Sequence, residues 1–117
     1  MISIIIPAHN EKENLERLLP KLEGMNTPMQ KEIIVALSCK NNDGSEKIET
    51  TPSVEIMHCS KKGRASQMNA AVKKAVGEIL VFLHADVTPP ETFFQDICAT
   101  LESGYDAGFF SYKFGSM

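Results

Sequence analysis

The stretch Gly77-Glu78-Ile79-Leu80-Val81-Phe82-Leu83-His84-Ala85-Asp86-Val87-Thr88-Pro89-Pro90 decides how the chain folds. Its short, nearly unbroken apolar run reads as a strand buried on both faces, as a central parallel strand must be. Side chains alternate along a strand, so His84 and Asp86 share one side while Ala85 turns to the other. Pro89 and Pro90 stop the strand and are expected to open a helix. A carboxylate at the C-terminal tip of a central parallel strand sits where open α/β sheets bind ligands. Taken alone, the stretch allows an equal alternative, in which Asp86 only caps the next helix.

Composition narrows the field. The 117 residues form one domain, 1–117, with room for a single core, and the net charge of −3 shows no nucleic-acid footprint. No run reaches the length of a membrane span, and the apolar start at Met1 has neither a basic leader nor a cleavage site. The expectation is a cytoplasmic, unprocessed protein. Cys39, Cys59 and Cys98 make no metal-type pair, which leaves free thiols in a reducing compartment as the expectation.

From the start of the chain, Ile2 to Ile6 is a β-branched run ended by Pro7, hence a first buried strand. Asn10 with Glu13 resembles a capping box, and Leu15, Leu18, Leu19 and Leu22 form one apolar helical stripe. Pro20 should kink or end that helix, and Gly24 closes it. Glu32 to Leu37 is a second buried strand, followed by a polar loop from Ser38 to Gly44, a short helix from Ser45 to Thr51 and a strand from Val54 to Met57. A basic, Gly-containing loop then runs into a helix carrying Met68, Ala71, Val72 and Ala75, which Gly77 ends. After the proline pair, Phe93, Phe94, Ile97, Cys98 and Leu101 mark an amphipathic helix closed by Gly104, and Phe110, Tyr112 and Phe114 alternate in a last strand. The order β-α-β-α-β-α-β-α-β predicts a doubly wound, mostly parallel α/β sheet in three α/β/α layers.

In such a sheet the polar clusters fall on one rim: Pro7-Ala8-His9-Asn10-Glu11, the Ser38–Gly44 loop, Lys61 to Arg64, and His84 to Asp86. Asp86 offers a hard oxygen ligand, and one carboxylate with waters and a substrate phosphate is a usual way to hold magnesium. The basic residues before a helix start favour an anion. A metal and an anion site together suit a nucleoside diphosphate. Each piece also has a plainer use: hydrogen-bonded loop histidines at His9 and His84, a solvated turn at Lys61 to Arg64, a helix cap at Asn10, and a helix-start charge at Glu11. No Gly-x-Gly-x-x-Gly follows the first strand and the P-loop pattern is missing, which disfavours nicotinamide, flavin and nucleotidyltransferase readings.

Four stretches, Ile2 to Glu11, Glu32 to Val35, Lys62 to Asn69 and Leu83 to Asp86, together resemble family 2 glycosyltransferases of the GT-A fold, over nearly the whole chain. The resemblance implies a Rossmann-like nucleotide-diphospho-sugar-binding domain and an inverting, metal-assisted transfer of sugar to an acceptor hydroxyl. His84-Ala85-Asp86 is similar to the family's Asp-x-Asp motif, which implies Asp86 as ligand of a divalent cation (Mg or Mn), with His84 as a neighbour or weak ligand. Pro7, His9, Asn10 and Glu11 match the loop beside the nucleotide base, where His9 stands in place of an aromatic. Arg64 matches a basic residue near the diphosphate, with Gln67 and Asn69 as polar neighbours. After the second strand the family has an Asp-rich turn that meets the base; here the first acidic residue is Asp43. The family's chain continues for roughly another hundred residues, which carry the acceptor side and the general base. The expectation is therefore the donor half, and Asp106 has no special claim as the base. The competing expectation is a non-catalytic nucleotide-binding or assembly module. Apolar residues after Gly104 (Phe109, Phe110, Tyr112 and Phe114) suggest a homo-oligomer through an open sheet edge.

Overall fold

The first strand, β1 (Ile2–Ala8), is buried along its whole length, and the sheet grows outward from it on both sides. The computed structural model describes residues 1–27, 29–61, 63–102 and 109–112, without the side chains of 100–102 and 109–112. After β1 come α1 (Lys12–Gly24), β2 (Lys31–Leu37), a single 3-10 turn at Ser45–Lys47, β3 (Val54–His58), α2 (Arg64–Lys74), β4 (Ile79–Leu83), α3 (Phe93–Glu102) and β5 (Phe109–Tyr112). The strand order is β3-β2-β1-β4-β5 and every pairing is parallel. This is the doubly wound α/β sheet that the alternation of elements predicts.

Strand alternation assigns the layers. Ile2, Ile4, Ile6 and Ala8 face the α1 stripe (Leu15, Leu18, Leu19, Leu22) and the α3 residues Phe93, Phe94 and Ile97. Ile5, Ile34 and Ala36 face the opposite way, against Ala71 of α2. Phe93 and Phe94 meet edge to face with centroids 5.0 Å apart. Lys31 fastens the foot of this layer: its Nζ lies 5.1 Å from the Phe94 ring centroid and donates to the α1-terminal carbonyls of Glu23 and Met25 at 3.3 and 2.7 Å.

Several local expectations are corrected. Pro20 does not end α1, which continues to Gly24. Glu16 and Pro20 both lie on the exposed face, so the carbonyl that loses its partner is on the water side while four buried leucines hold the helix down. The Asn10–Glu13 capping box does not form, because the N-cap position falls at Glu11. The helix expected over Ser45–Thr51 shrinks to the one 3-10 turn. Pro89 and Pro90 do not open α3; they lie in a non-helical segment, with Val87 and Pro89 buried, and the helix begins at Phe93. Gly104, Asp106 and Phe114 lie outside the described residues, as do the side chains of Phe109, Phe110 and Tyr112 on which the oligomer expectation rests.

At the foot of the sheet, buried Ser3 donates to Glu32 Oε2 at 2.6 Å and accepts from Gly77 N at 2.9 Å, while Val76 N donates to the same carboxylate oxygen at 2.7 Å. Gly77 fits this knot because it has no Cβ: one would collide with Ser3 Oγ and stand 2.8 Å from Met1 O and 2.9 Å from Ser3 N. Gly77→Ala should therefore cost about 1–3 kcal/mol in urea unfolding. Gly24→Ala, which meets nothing within 4 Å, should be neutral or stabilising by up to about 1 kcal/mol.

Candidate functional site

Even-numbered residues of β1 turn their backbone groups toward β2: Ile2 N donates to Gln30 O, and Ala8 O accepts from Ser38 N. Odd-numbered residues, Pro7 among them, therefore face β4. The β1–β4 ladder ends at Ile5↔Phe82, whereas β1–β2 pairing continues to Ala8↔Leu37. Pro7 thus lacks its N–H where no β4 partner is present, and beyond it the two strands part. A cleft of about 150 Å³ opens there, lined by Pro7, Ala8, His9, Glu11, Arg64, His84, Ala85 and Asp86. This is also where strand order reverses, the usual ligand position in open α/β sheets.

Because α3 starts only at Phe93, Asp86 does not cap it. Its exposed carboxylate has no hydrogen-bond or ion-pair partner among the described residues, while Ala85 is buried on the other side. Arg64, the first residue of α2, reaches across the cleft and places Nη1 3.2 Å from His84 Nδ1.

A second set of contacts joins the loop after β1 to the loop after β2. Asn10, in the left-handed region at φ 51°, donates its N–H to Asn41 Oδ1 at 2.6 Å and accepts from Asn42 N at 2.8 Å. Asp43 receives Lys12 N on Oδ2 at 2.9 Å, and Asn41 Nδ2 and Ser45 N on Oδ1 at 2.9 and 3.1 Å, together with the Ser45 hydroxyl. Burial pushes the Asp43 carboxyl up, but these hydrogen bonds outweigh it and bring the pKa down to about 2. His9 Nδ1 pairs with Ser38 Oγ, and Glu11 accepts from Asn14 Nδ2 at 2.6 Å. Sequence reasoning overlooked Asn41 and the inward role of Asp43. The available signal was Asp43-Gly44-Ser45, a turn in which a carboxylate bonds the backbone two residues on.

Pro7, His9, Glu11, Arg64, His84 and Asp86 therefore meet at one cleft, with Asn10 on the adjoining loop surface. Gln67 and Asn69 do not line it. Gln67 is buried beneath the rim and donates Nε2–H groups to Ala8 O at 3.1 Å and Ala36 O at 2.8 Å, tying the ends of β1 and β2 together. Asn69 is exposed on a separate groove beside Lys61 and Lys73.

Among the described residues no group of three or more His, Cys, Asp or Glu could hold a metal. The lone, unpaired Asp86 does fit a cation that arrives with its own oxygen ligands, since magnesium is commonly held by one or two carboxylates plus substrate phosphates.

The reversed parallel sheet with its rim cleft is the Rossmann-like GT-A fold. The family model for glycosyl transferase family 2 matches residues 3–115, and the chain belongs to that family. It is 28% identical over 109 residues to the dolichol-phosphate mannosyltransferase of Pyrococcus furiosus, covering 90% of this chain and 31% of the relative. It is 27% identical to the undecaprenyl-phosphate 4-deoxy-4-formamido-L-arabinose transferase of Proteus mirabilis, covering 90% of this chain and 35% of that protein. The chain thus spans about a third of the length of these curated relatives. Among solved structures, a Pyrobaculum calidifontis mannosyltransferase in complex with GDP-Man and Mn2+ superposes with TM-score 0.68 at 26% identity, over 76% of this chain and 28% of that one. S. aureus TarS shares the fold with TM-score 0.73 at 22% identity, over 87% of this chain and 32% of that one. Among the described residues no helix is long and apolar enough to cross a membrane.

The depressed Asp43 carboxyl makes the joined loops acid-sensitive. Its folded value of about 2 lies below the ordinary unfolded value, so its contribution is present above about pH 4 and is lost as pH falls through 2. Discounted for partial solvent exposure, that contribution is about 1 kcal/mol. Asp43→Asn should flatten the fall in urea-unfolding stability between pH 4 and pH 2.

Proposed function

We propose that this chain forms the donor-binding part of a glycosyltransferase, which moves a sugar from a nucleotide-diphosphate donor to an acceptor hydroxyl with inversion and with help from a divalent cation. The observation that carries the reading is the convergence of a free carboxylate, Asp86, and a guanidinium, Arg64, in the cleft where β1 and β4 part. Family membership and the GDP-Man and Mn2+ bound to the Pyrobaculum calidifontis mannosyltransferase support it.

In the transfer, an acceptor hydroxyl gives up its proton to a general base on the acceptor side while its oxygen forms a bond to the anomeric carbon from the face opposite the diphosphate. The carbon–oxygen bond to the diphosphate breaks, and its electron pair leaves with the phosphate oxygen. Arg64 supplies N–H donors and positive charge to that departing diphosphate. Asp86 is the residue that would hold Mg or Mn, whose charge offsets the one developing on the leaving group. His9 and Pro7 form the wall toward the nucleoside, where an imidazole stacks on a base less extensively than a larger ring. Pro7, buried and locked in φ, fixes the direction in which the chain leaves the strand.

Calorimetry with uridine or guanosine diphosphate tests the metal role. Binding should be weak in chelator and strengthened by manganese, and Asp86→Ala should abolish the strengthening. Equal affinity for wild type and Asp86→Ala in saturating manganese would reject it.

Base selectivity should be loose, because both Asp43 oxygens are already occupied within the protein and Ser38 stands paired with His9. Uridine and guanosine diphosphates are expected to bind within about tenfold of each other, since no buried acceptor is left unsatisfied by the wrong base. A uridine preference of about a hundredfold or more would contradict this.

A further inference from the structure

The arginine–histidine contact fixes more than a distance. A guanidinium has five N–H donors and no acceptor. With Arg64 Nη1 3.2 Å from His84 Nδ1, that ring nitrogen is the acceptor and carries no proton. The neutral imidazole therefore bears its hydrogen on Nε2. In this arrangement neither nitrogen offers a free lone pair to a metal: Nδ1 is engaged by Arg64, and Nε2 is a donor. Arg64 makes no other hydrogen bond or ion pair among the described residues, so its remaining donors are open to an anion. The N-cap residue Gly63 adds no side-chain cap, which leaves the α2 amino end unshielded beside Arg64.

We infer that His84 binds the donor substrate as a hydrogen-bond donor, through Nε2–H to a phosphate oxygen of a nucleoside diphosphate, and orients Arg64 through Nδ1, leaving Asp86 to meet the cation alone. The inference rests on the proposed function for its ligand and on the Arg64–His84 geometry for its chemistry. A carboxylate in place of His84 would neutralise the Arg64 charge and repel a diphosphate until a cation arrived. A neutral imidazole does neither. The pair consequently supplies the part of diphosphate affinity that needs no metal, while Asp86 supplies the part that does.

Two measurements on the full chain test this. Nitrogen-15 NMR of the imidazoles should show His84 Nε2 protonated and Nδ1 bare; the reverse tautomer overturns the inference whatever binds. In calorimetry with uridine and guanosine diphosphate, His84→Asn keeps an amide oxygen for Arg64 but has no donor at the reach of Nε2. Its affinity in chelator should fall about tenfold, with the manganese-dependent gain unchanged. An unchanged affinity in chelator with a reduced manganese gain would instead make His84 a metal ligand and overturn the inference, while leaving the proposed function standing. A wild type that binds neither diphosphate in either condition overturns the proposed function and the ligand assignment together, a result distinct from a wrong tautomer.

Discussion

A proline without an N–H sets the layout of this molecule. Parallel strands need a continuous ladder, and a proline in a central strand ordinarily breaks one. Here Pro7 falls two residues past the last β1–β4 pair, Ile5↔Phe82, with its missing donor directed to the side where pairing has already stopped. The β2 side of the same strand keeps its bonds as far as Ala8. The outcome is an asymmetric strand end, sealed on one side and parted on the other. His84, Ala85 and Asp86 emerge from β4 at the parted side.

The sealed side is held from beneath and from above. Gln67 reaches from α2 to the carbonyls of Ala8 and Ala36, so the helix that presents Arg64 is bonded directly to the strand ends. Above them, Asn10, Asn41, Asn42 and Asp43 exchange backbone and side-chain bonds across two loops. A buried amide with its donors filled and a carboxylate with both oxygens filled are costly to disrupt, because each would leave uncompensated polar groups. Such a rim presents its remaining donors in fixed positions, which lowers the ordering cost of binding.

The architecture was legible because strand and helix periods are strong signals: every strand and three of the helices announce themselves through β-branched runs or apolar stripes. The site was partly legible for a different reason. His84 and Asp86 are separated by one small residue, and strand alternation alone puts them on the same side. What sequence could not supply was competition between equally good local partners. Asn10 had Glu13 as a plausible capping mate, yet its side chain bonds Asn42 across the loops. Gln67 and Asn69 sit two apart on a helix, hence on different faces, and only packing shows that Gln67 turns inward while Asn69 stays exposed. The proline pair reads as a helix start, but Val87 packs into the core, Pro89 is buried, and the segment stays non-helical until α3 begins at Phe93.

Size constrains how a nucleotide sugar would lie. The parted-strand cleft holds about 150 Å³, below the few hundred Å³ usual for pockets that enclose a whole small molecule. On the proposed function it suits a phosphate-sized group beside Arg64 and His84, with Asp86 left for the cation. The joined-loop surface beside it, lined by Asn10, Glu11, Lys12, Asn14 and Asp43, is wider and polar. The strand parting is thus a charged notch for the diphosphate, and the nucleoside would lie from Pro7 and His9 toward a loop surface whose Asp43 carboxylate is spent inward. A substrate held mainly at the notch is held by its diphosphate, the portion common to every nucleotide sugar. Discrimination among bases must then come from contacts weaker than a buried carboxylate would make.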